Sequence, residues 1–357
     1  MPLSERSASL AEVLDEMTTE GAQELTERVA GGGVRCYACG HRCLIHVGKR
    51  GICKVRFNEG GRLLVPTNYV AALACDPTEK KPFFHVLPGS DTLTFGMLGC
   101  DLHCIYCQNW LTSQALRDDA AGVQPRRVSA DRLVEMAREC GARLVGSSYN
   151  EPLITAEWAV EVFKKARGEG FKTAFISNGN ATPQVLDYLR PVTDCYKVDM
   201  KTMSDRGYRQ LGGVVGNILD TVRMVYERGF WEEIVTLVIP GFNDSEEELR
   251  RAAEFIASVS PDIPWHVTAF HQDYRMTENA NTTAAQLTRA CEIGRAAGLR
   301  FVYAGNLPGR VGPWENTYCP ACEELLVERY GYRILKMRVG ADGLCPACRT
   351  AIPGVWS

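Results

Sequence analysis

Short apolar runs alternate with longer stretches of helical periodicity through the middle of the chain. Strands are predicted for seven apolar runs, at residues 93–97, 144–148, 173–176, 195–198, 234–239, 265–270 and 301–304. Helices are predicted between them, near residues 130–140, 155–168, 183–190, 217–228, 245–258 and 283–297. Ser129 and Ser245 stand where N-caps are expected, and Gly170 and Gly298 stand where helices should stop.

Strands that alternate with helices of about 10–15 residues predict parallel βαβ units. We therefore expect an α/β fold, a partial (β/α)6-type TIM barrel, with a doubly wound open sheet as the alternative. In either fold, functional residues collect at the carboxyl ends of the strands. Polar residues do follow the predicted strands, and they are Asn150 and Glu151, Asn178, Asp199 and Lys201, His271, and Asn306.

The two ends of the chain depart from this pattern. Residues 7–29 have amphipathic periodicity that stops at a run of three glycines, so residues 1–33 are predicted to form an N-terminal helix. Residues 34–91 are rich in Cys, Gly, Lys and Pro, which predicts a small, mostly β, metal-binding subdomain. The partial barrel is assigned to residues 92–312, and residues 313–357 are predicted to form a zinc-ribbon-like module.

Composition narrows the class of protein without changing this architecture. The chain has 357 residues, of which 45% are hydrophobic, and its 40 basic and 43 acidic residues give a formal net charge of −3. These values exclude a disordered chain and argue against a strongly basic nucleic-acid binder. No apolar stretch reaches the roughly 20 residues that a membrane helix needs, and the acidic N-terminus resembles no signal peptide. We therefore expect a cytoplasmic protein with no membrane contact.

The 15 cysteines are the most informative residues of the chain, and 11 of them fall in three clusters. Because the chain is long and shows no secretory signal, we interpret the clusters as metal ligands in a reducing cytoplasm rather than as disulfides. The four scattered cysteines, Cys75, Cys140, Cys195 and Cys291, are expected to be small buried apolar residues.

The two outer clusters have the spacing of metal-binding knuckles. Two Cys-Pro-Ala-Cys pairs separated by 22 residues predict a tetrahedral Zn²⁺ ribbon, with a rubredoxin-like iron site or a redox dithiol as alternatives. The N-terminal pattern C-x2-C-x3-C-x9-C predicts zinc or an auxiliary [4Fe–4S] cluster, and His41 or His46 could replace one thiolate. The predicted ligands are Cys319, Cys322, Cys345 and Cys348 for the ribbon, and Cys36, Cys39, Cys43 and Cys53 for the N-terminal site.

The central cluster, Cys100, Cys104 and Cys107, has the spacing C-x3-C-x2-C just after the first predicted strand of the barrel. Protein-bound [4Fe–4S] clusters normally have four Cys ligands, so three nearby thiolates leave one iron open. S-adenosylmethionine (SAM) can chelate that iron through its amino and carboxylate groups, and reductive cleavage then gives a 5′-deoxyadenosyl radical. The alternatives are a zinc site completed by His103 or His85, and a cluster used only for electron transfer.

This triplet is the signature of the radical SAM enzymes, and residues 75–306 resemble the pyruvate formate-lyase activating-enzyme branch of that superfamily. Four segments at predicted strand ends carry the resemblance. Residues 149–152, Tyr-Asn-Glu-Pro, stand where the family has Gly-Gly-Glu-Pro, and residues 177–179, Ser-Asn-Gly, resemble its Thr-Asn-Gly. Asp199-Met200-Lys201 resembles its Asp-x-Lys, and residues 269–271, Ala-Phe-His, resemble its Pro-Tyr/Phe-His.

The resemblance implies roles for single residues. The predicted SAM-binding residues are Tyr106, Asn109, Asn150, Glu151, Asn178, Asp199, Lys201 and His271. Tyr106 matches the family aromatic near the adenine, and Glu151 keeps the carboxylate that faces the SAM ammonium. Lys201 faces the methionine carboxylate, and His271 lies near the ribose or adenine. Taken alone, Glu151, Asn178 and Asp199 could equally be caps or loop residues, and His271 a core histidine.

More narrowly, the whole chain resembles the radical enzymes of the AmmeMemoRadiSam system, which are named for their association with two other protein families. The segments that carry this resemblance are the Cys-x2-Cys-x-His-x-Cys motif of residues 36–43, and residues 51–58, 76–82 and 148–152. The resemblance implies an oxidoreductase-type enzyme, a reductant such as flavodoxin or ferredoxin, and companion proteins of that system.

The sequence leaves the substrate open. One hypothesis is a glycyl-radical-enzyme activating enzyme, which predicts an open barrel mouth that admits a protein loop. The other is hydrogen abstraction from a small molecule or another macromolecule, which predicts a more closed pocket. A third is a non-catalytic iron–sulfur and zinc interaction protein. Lys80-Lys81 and Arg126-Arg127 are interpreted as solvated or strand-flanking charges, or as contacts for an acidic partner.

Overall fold

The computed structural model describes residues 9–357, and its first part is built from short elements. Helix α1 (Leu10–Asp15) is followed by seven strands of two to five residues. They are β1 (Thr18–Glu20), β2 (Thr26–Val29), β3 (Gly33–Cys36), β4 (Leu44–Ile45), β5 (Phe57–Glu59), β6 (Arg62–Pro66) and β7 (Tyr69–Val70). They form two antiparallel sheets, in the orders β2-β3-β4 and β1-β6-β5, and β7 pairs with a later strand.

The helix predicted over residues 7–29 is wrong. A capping box between Ser9 and Glu12 starts α1, but the helix ends at Asp15. The chain then enters β1, which pairs with β6, and β2, which pairs with β3. Threonine and valine favour extended backbone, and pairing with neighbouring strands outweighs the helical periodicity of this segment. Residues 7 and 8 lie outside the described residues.

An eight-stranded sheet forms the centre of the molecule. The sheet begins with β8 (Ala72–Pro77) and β9 (Asp91–Gly96), and its other six strands follow in chain order. The short β10 (Arg126–Arg127) comes after β9 in the chain but pairs with β7 instead. The other six strands of the sheet are β11 (Leu144–Ser147), β12 (Lys172–Ser177), β13 (Cys195–Asp199), β14 (Trp231–Val238), β15 (Trp265–Ala269) and β16 (Val302–Gly305). All seven strands predicted from the apolar runs are confirmed, whereas β8 lies ahead of the predicted boundary at residue 92.

Helices connect the parallel strands. They are α2 (Trp110–Ser113), α3 (Ala130–Glu139), α4 (Ala156–Gly168), α5 (Pro183–Leu189), α6 (Asp205–Leu211), α7 (Val215–Glu227), α8 (Glu246–Val259) and α9 (Ala284–Ala296). The six helices predicted from periodicity correspond to α3, α4, α5, α7, α8 and α9. Short 3-10 turns lie at Gln23–Leu25, Ala30–Gly32, Thr78–Lys80, Pro152–Thr155, Arg190–Val192 and Gly312–Glu315.

The strand order decides between the two predicted architectures. From β9 to β16 the sheet strands are parallel and lie in chain order, and β8 is added antiparallel at the β9 edge. A doubly wound sheet would reverse its order at a switch point. Right-handed crossovers between sequential parallel strands instead place the helices on one face, so the sheet curls towards a barrel. The fold is an α/β partial barrel of six βα units and a seventh parallel strand.

A large apolar core lies between this sheet and its helices. Trp158 and Phe163 of α4 and Phe175, Tyr196 and Trp265 of the strands are all buried in it. The rings of Phe175 and Tyr196 lie 5.3 Å apart. Burying such large side chains contributes about 1.5–3 kcal/mol each and holds the helical layer on the sheet. The opposite face of the sheet is therefore free to carry polar side chains.

The C-terminal module packs against the barrel strands. Its antiparallel strands β17 (Thr317–Tyr318), β18 (Leu325–Tyr330) and β19 (Arg333–Met337) share a core with Phe84, Phe301 and Tyr303. Arg329 is buried at this junction and donates a 2.8 Å hydrogen bond to the carbonyl of Phe84, with its guanidinium 4.3 Å from the Phe84 ring centroid. The module is therefore joined to the barrel by packing as well as by chain connection.

A buried polar network lies beside this junction. The Glu233 carboxylate accepts hydrogen bonds from the backbone N–H groups of Phe84 and His85, and its Oε2 lies 2.6 Å from His266 Nε2. His85 Nε2 lies 2.6 Å from the Tyr303 hydroxyl. Burial lowers the pKa of His85 to about 4, so this imidazole stays neutral in the folded protein.

The N-terminal segment is tied to the barrel by one buried ion pair and one close backbone approach. Arg56 is 1% exposed and makes two 2.7 Å hydrogen bonds to the carboxylate of Glu157 on α4. At Gly40 a Cβ would lie 2.2 Å from Asn180 Oδ1, so a larger residue would push the segment away. Both contacts bring the N-terminal cysteines towards the strand ends of the barrel.

The scattered cysteines divide into two kinds. Cys195 and Cys291 are fully buried, as expected. Cys75 on β8 and Cys140 after α3 instead form a disulfide, which corrects the expectation that they are isolated buried residues. The two lie next to each other only because β8 joins the edge of the central sheet. Over residues 9–357, no helix is both long and apolar enough to span a lipid bilayer.

Candidate active site

The central cysteines lie on the loop that follows β9, at the carboxyl end of the first parallel strand. Gly99, with φ +93, turns the chain out of the strand immediately before Cys100. The Leu102 backbone N–H donates a hydrogen bond to Cys100 Sγ over 3.3 Å, and Cys107 Sγ lies 3.2 Å from the Ser113 hydroxyl. Together with Cys104, these thiols line one cavity of about 390 Å³.

Burial controls the protonation of these thiols. It raises the pKa of Cys104 to about 11, against the attraction of the Lys201 ammonium, which lowers it. Burial likewise raises the pKa of Cys100 and Cys107. Thiolates are the forms that bind iron, so a positively charged metal centre must displace protons here. Such a loop favours a cationic cluster over free, reactive thiolates.

Seven of the eight side chains predicted to bind SAM line the same cavity. They come from the Cys loop and from the ends of β11, β12 and β13, and they are Tyr106, Asn109, Asn150, Glu151, Asn178, Asp199 and Lys201. His271 is the exception, because it is exposed and outside the lining. Its Nε2 lies 2.9 Å from Nε2 of Gln108, which does line the cavity.

Glu151 is buried and anchored by its own chain. Its carboxylate accepts hydrogen bonds from the Leu153 N–H at 3.0 Å, the Ser177 hydroxyl at 2.7 Å and the Asn178 N–H at 2.7 Å. Burial and the nearby negative charge of Asp101 nevertheless raise the pKa of Glu151 to about 8. A cation in the cavity would therefore favour its ionised form.

The end of β13 supplies three charged groups. Lys197 Nζ lies 2.6 Å from Asp199 Oδ1, and the backbone N–H of Lys201 donates to the Tyr208 hydroxyl. Attraction to Lys197 and Lys201 lowers the pKa of Asp199 against the effect of burial. Sequence reasoning missed Lys197, although it stands two residues before Asp199 and so points to the same face of the strand.

Sequence reasoning also missed Asp101, which lies inside the Cys loop. Its buried carboxylate accepts hydrogen bonds from the amides of Asn178 at 2.7 Å and Asn180 at 2.8 Å, and lies 3.7 Å from His41 Nδ1. It therefore links the loop to β12 and to the N-terminal cysteine segment. A charged residue between two closely spaced cysteines was the only available signal.

Three further lining residues come from segments outside the predicted barrel. Lys80 and Lys81 follow β8, and Tyr332 lies in the turn between β18 and β19. Lys81 is only 7% exposed, so of the two interpretations given for this lysine the solvated charge is wrong, whereas a charge that flanks a strand agrees with its place after β8. The preceding strand joins the sheet edge and carries Lys81 to the cavity, which the sequence pattern did not indicate.

The outer cysteine clusters have different geometries. Over the described residues, two groups bring at least three ligand atoms within 4.8 Å of one another, and these groups are Cys319, Cys322, Cys345 and Cys348, and Cys39, His41 and Asp101. Sulfurs in the C-terminal group are 3.6 and 3.7 Å apart. Tetrahedral Zn–S bonds of about 2.3 Å require sulfurs about 3.8 Å apart, so this group fits a single ion.

The other cysteine groups are more widely spaced. Cys36, Cys43 and Cys53 do not join Cys39 in its compact group. The central triplet is likewise too open for one ion held by all three sulfurs, yet the three thiols face one cavity. The three thiols are spaced for a group larger than one ion, and polar groups from neighbouring strands lie opposite them. This arrangement fits a [4Fe–4S] cluster with three thiolate ligands and one open iron.

Comparison with known proteins agrees with this geometry. The family described as the Radical SAM superfamily matches residues 95–256. An uncharacterized protein of Methanocaldococcus jannaschii, MJ0808, is 33% identical over 306 residues, which cover 85% of this chain and 90% of that protein. The pyruvate formate-lyase 1-activating enzyme of Escherichia coli is 25% identical over 224 residues, covering 60% of this chain and 90% of that enzyme.

Among solved structures, a domain of a pyruvate-formate lyase-activating enzyme from Bacteroides vulgatus covers 45% of this chain and 98% of its own, with 22% identity and a TM-score of 0.41. The fold family implies a [4Fe–4S] cluster and SAM, and the cavity residues fit both. The chain belongs to the radical SAM superfamily, in the same family as the M. jannaschii protein, and has homologues among the pyruvate formate-lyase activating enzymes.

Proposed function

We propose that this protein is a radical SAM enzyme that cleaves SAM reductively and abstracts hydrogen from a substrate held at the barrel mouth. One observation carries the proposal, namely that the three central thiols and seven predicted SAM-binding side chains, from the Cys loop and from the ends of β11, β12 and β13, line a single cavity. Strand ends are where TIM-type barrels keep their catalytic groups. An oxidoreductase-type enzyme follows, rather than a protein that only binds metal.

Each lining group has a role that its position supports. Cys100, Cys104 and Cys107 would hold the cluster, which with bound SAM supplies the 5′-deoxyadenosyl radical. Glu151, fixed by three hydrogen bonds, presents a carboxylate to the ammonium group of SAM. The Lys201 ammonium faces the carboxylate of SAM. Asn150, Asn178 and Asp199 position the nucleoside and amino-acid parts, with Tyr106 and Asn109 beside the cluster. His271 would take part only if Gln108 released it.

The test is direct. The full chain is reconstituted with iron and sulfide under anaerobic conditions, reduced, and mixed with SAM. We expect 5′-deoxyadenosine and methionine in equal amounts. If the [4Fe–4S] cluster is intact and neither product forms with a chemical reductant, the proposal is wrong, and a non-catalytic iron–sulfur and zinc protein becomes the better description.

A second candidate is a glycyl-radical-enzyme activating enzyme, and the E. coli relative that bears this name favours it. Against it, Tyr332 of the C-terminal module borders the cavity, which restricts the approach of a protein loop. The discriminating measurement is electron paramagnetic resonance of pyruvate formate-lyase mixed with the reduced protein and SAM. A glycyl-radical signal would favour the activating enzyme.

The outer clusters extend the proposal to metal content. We propose that Cys319, Cys322, Cys345 and Cys348 hold zinc, since the sulfur separations suit one tetrahedral ion. The N-terminal set of Cys36, Cys39, Cys43 and Cys53 would hold zinc or an auxiliary [4Fe–4S] cluster, and burial with neighbouring thiols raises the pKa of Cys39. Metal analysis of protein with and without serine at Cys322 and Cys43 would assign each site.

We also propose the narrower group, a cytoplasmic radical SAM enzyme of the AmmeMemoRadiSam system with a flavodoxin or ferredoxin as reductant. The Cys-x2-Cys-x-His-x-Cys motif and the segments of residues 51–58 and 76–82 support this assignment. Reduced flavodoxin should replace the chemical reductant in SAM cleavage. If reduced flavodoxin and reduced ferredoxin both fail while dithionite succeeds, the assignment of the reductant is wrong.

A further inference from the structure

Two buried lysines line the cavity and have no part in the SAM assignments. Lys81 is 7% exposed and Lys197 is 6% exposed, and both border the cavity beside the cysteine loop. A buried ammonium is costly unless its three N–H donors find acceptors, so the contacts of these lysines are informative.

The contacts leave donors free. Lys81 Nζ donates to Asp76 Oδ2 over 3.0 Å and to the Tyr149 hydroxyl over 3.3 Å. Lys197 Nζ lies against a single carboxylate oxygen of Asp199, at 2.6 Å. Counting contacts with residues 9–357, one of the three donors on Lys81 and two of the three on Lys197 therefore remain for an acceptor in the cavity.

Tyr149 holds the first of these lysines at a cost. Its φ is +71, a left-handed conformation that glycine adopts freely and that a side chain disfavours. A tyrosine there costs about 1 kcal/mol or more. Its hydroxyl also lies 3.0 Å from the Thr94 hydroxyl, and Lys81 Nζ lies 5.1 Å from its ring centroid. This strained residue fixes the lysine beside the cavity.

The charges around the cavity favour an anion. Lys80, Lys81, Lys197 and Lys201 are cationic, and they stand against the carboxylates of Glu151 and Asp199 in the lining and of Asp76, which pairs with both Lys80 and Lys81. The lysines therefore outnumber these carboxylates by one. SAM brings a sulfonium and an ammonium against one carboxylate, so it adds no net negative charge. An excess of positive charge therefore remains for another ligand.

The mouth of the cavity favours a small ligand. The Tyr332 hydroxyl donates a 3.1 Å hydrogen bond to the Asn306 side chain, and both residues border the cavity. The C-terminal module thereby covers part of the strand ends. The volume of about 390 Å³ must also accommodate the cofactor.

We propose that Lys81 and Lys197 bind the anionic group, a carboxylate or a phosphate, of a small-molecule substrate at this cavity. The inference rests on the proposed function and names its substrate class. Tyr149 positions Lys81, and Tyr332 limits the size of the substrate.

The test uses two probe anions on the full-length, reconstituted protein with SAM bound. Inorganic phosphate and succinate are titrated anaerobically by calorimetry into wild type, Lys81→Met, Lys197→Met and the control Lys164→Met, whose lysine is exposed on α4. We expect at least one anion to bind wild type and Lys164→Met equally, and to bind both other variants at least about tenfold more weakly. Circular dichroism melting shows whether each variant is folded.

A measurement without variants accompanies it. Acetylation of lysines, read by mass spectrometry on wild type, should slow at Lys81 when the bound anion is added and stay unchanged at Lys164. If neither anion binds wild type, or if the Lys81 and Lys197 variants bind as well as Lys164→Met, the inference is wrong. The same holds if an acidic peptide stimulates SAM cleavage while neither small anion binds. Anion binding without any SAM cleavage would count against the proposed function alone.

Discussion

The central and C-terminal cysteine sites use the same ligand atom in opposite ways. In the C-terminal module, four sulfurs converge to separations of 3.6 and 3.7 Å, and a small antiparallel sheet surrounds them. On the central loop, three sulfurs stay apart and face a cavity whose other walls come mainly from the carboxyl ends of the sheet strands. A metal with a complete set of protein ligands has a structural role, because no coordination position is free for a substrate. An open set leaves a coordination position for chemistry.

The two sites also differ in the exposure of their sulfurs and in the pKa values of their thiols. The C-terminal sulfurs include two exposed ones, Cys322 and Cys348. Hydrogen bonding with Thr350 lowers the pKa of Cys348 to about 6, whereas hydrogen bonding with Cys348 raises the pKa of Cys322. Of the central thiols, Cys104 is buried and Cys100 and Cys107 are half-buried, and burial raises the pKa of each. The C-terminal sulfurs are therefore the more open to solvent, and the central thiols are the more shielded by the protein.

The largest effect is expected from removing a ligand of the central site, at Cys104. Cys104→Ala should lower 5′-deoxyadenosine formation by more than about 10³-fold, because the cluster loses one of three ligands. Product is quantified by liquid chromatography, and the cluster by electron paramagnetic resonance. Cys291→Ala, which removes a buried thiol from α9, should keep wild-type activity. Equal activity in the two variants would contradict the role given to the central loop.

Removing one ligand from the C-terminal site should lower the stability of the module but leave SAM cleavage intact. Cys319→Ser should remove one zinc per chain and lower the free energy of unfolding of the C-terminal module by several kcal/mol, on the order of 5, because metal binding is coupled to its folding. Thermal melting and metal analysis measure both. SAM cleavage should persist, since the cluster ligands lie on the barrel. Loss of cleavage as complete as in Cys104→Ala would mean that the two sites are not separable.

The N-terminal cysteine segment differs from both sites, because an ion pair with the barrel holds it in addition to the proposed metal. Arg56→Met should lower the free energy of unfolding by about 3–5 kcal/mol, since Glu157 would be left as a buried, unpaired charge. Arg132→Met breaks an exposed pair with Glu139 and should cost less than about 1 kcal/mol. Urea denaturation compares the two. Similar costs would show that metal alone secures this segment.

Acid should loosen the junction of barrel and C-terminal module. The folded protein keeps His85 neutral, with a pKa near 4, whereas the unfolded chain takes up a proton near pH 6.5. Stability therefore falls as pH drops from 6.5 to 4, by up to about 3 kcal/mol for this residue. His85→Asn should show a shallower fall in melting temperature over that range. Identical slopes in the two proteins would place the acid sensitivity elsewhere.

Much of this organisation could be predicted from local sequence. Apolar runs and caps located all seven parallel strands and six helices, because their burial depends on periodicity within each element. The C-x3-C-x2-C spacing and the residues after each strand indicated one site, since parallel strands end at one edge. The helix over 7–29 failed because the pairing of β1 with β6 and of β2 with β3 outweighs local periodicity.

The ligand types, their spacing and the α/β order of the chain follow from the amino-acid sequence. Which groups meet depends on the folded arrangement: Lys81 reaches the cavity because β8 pairs at the sheet edge, and Tyr332 because the C-terminal sheet packs on Phe84 and Tyr303. The folded arrangement also pairs Cys75 with Cys140 across 65 residues. Spacing along the chain fixes local geometry, whereas contacts between distant segments depend on how whole faces are buried together.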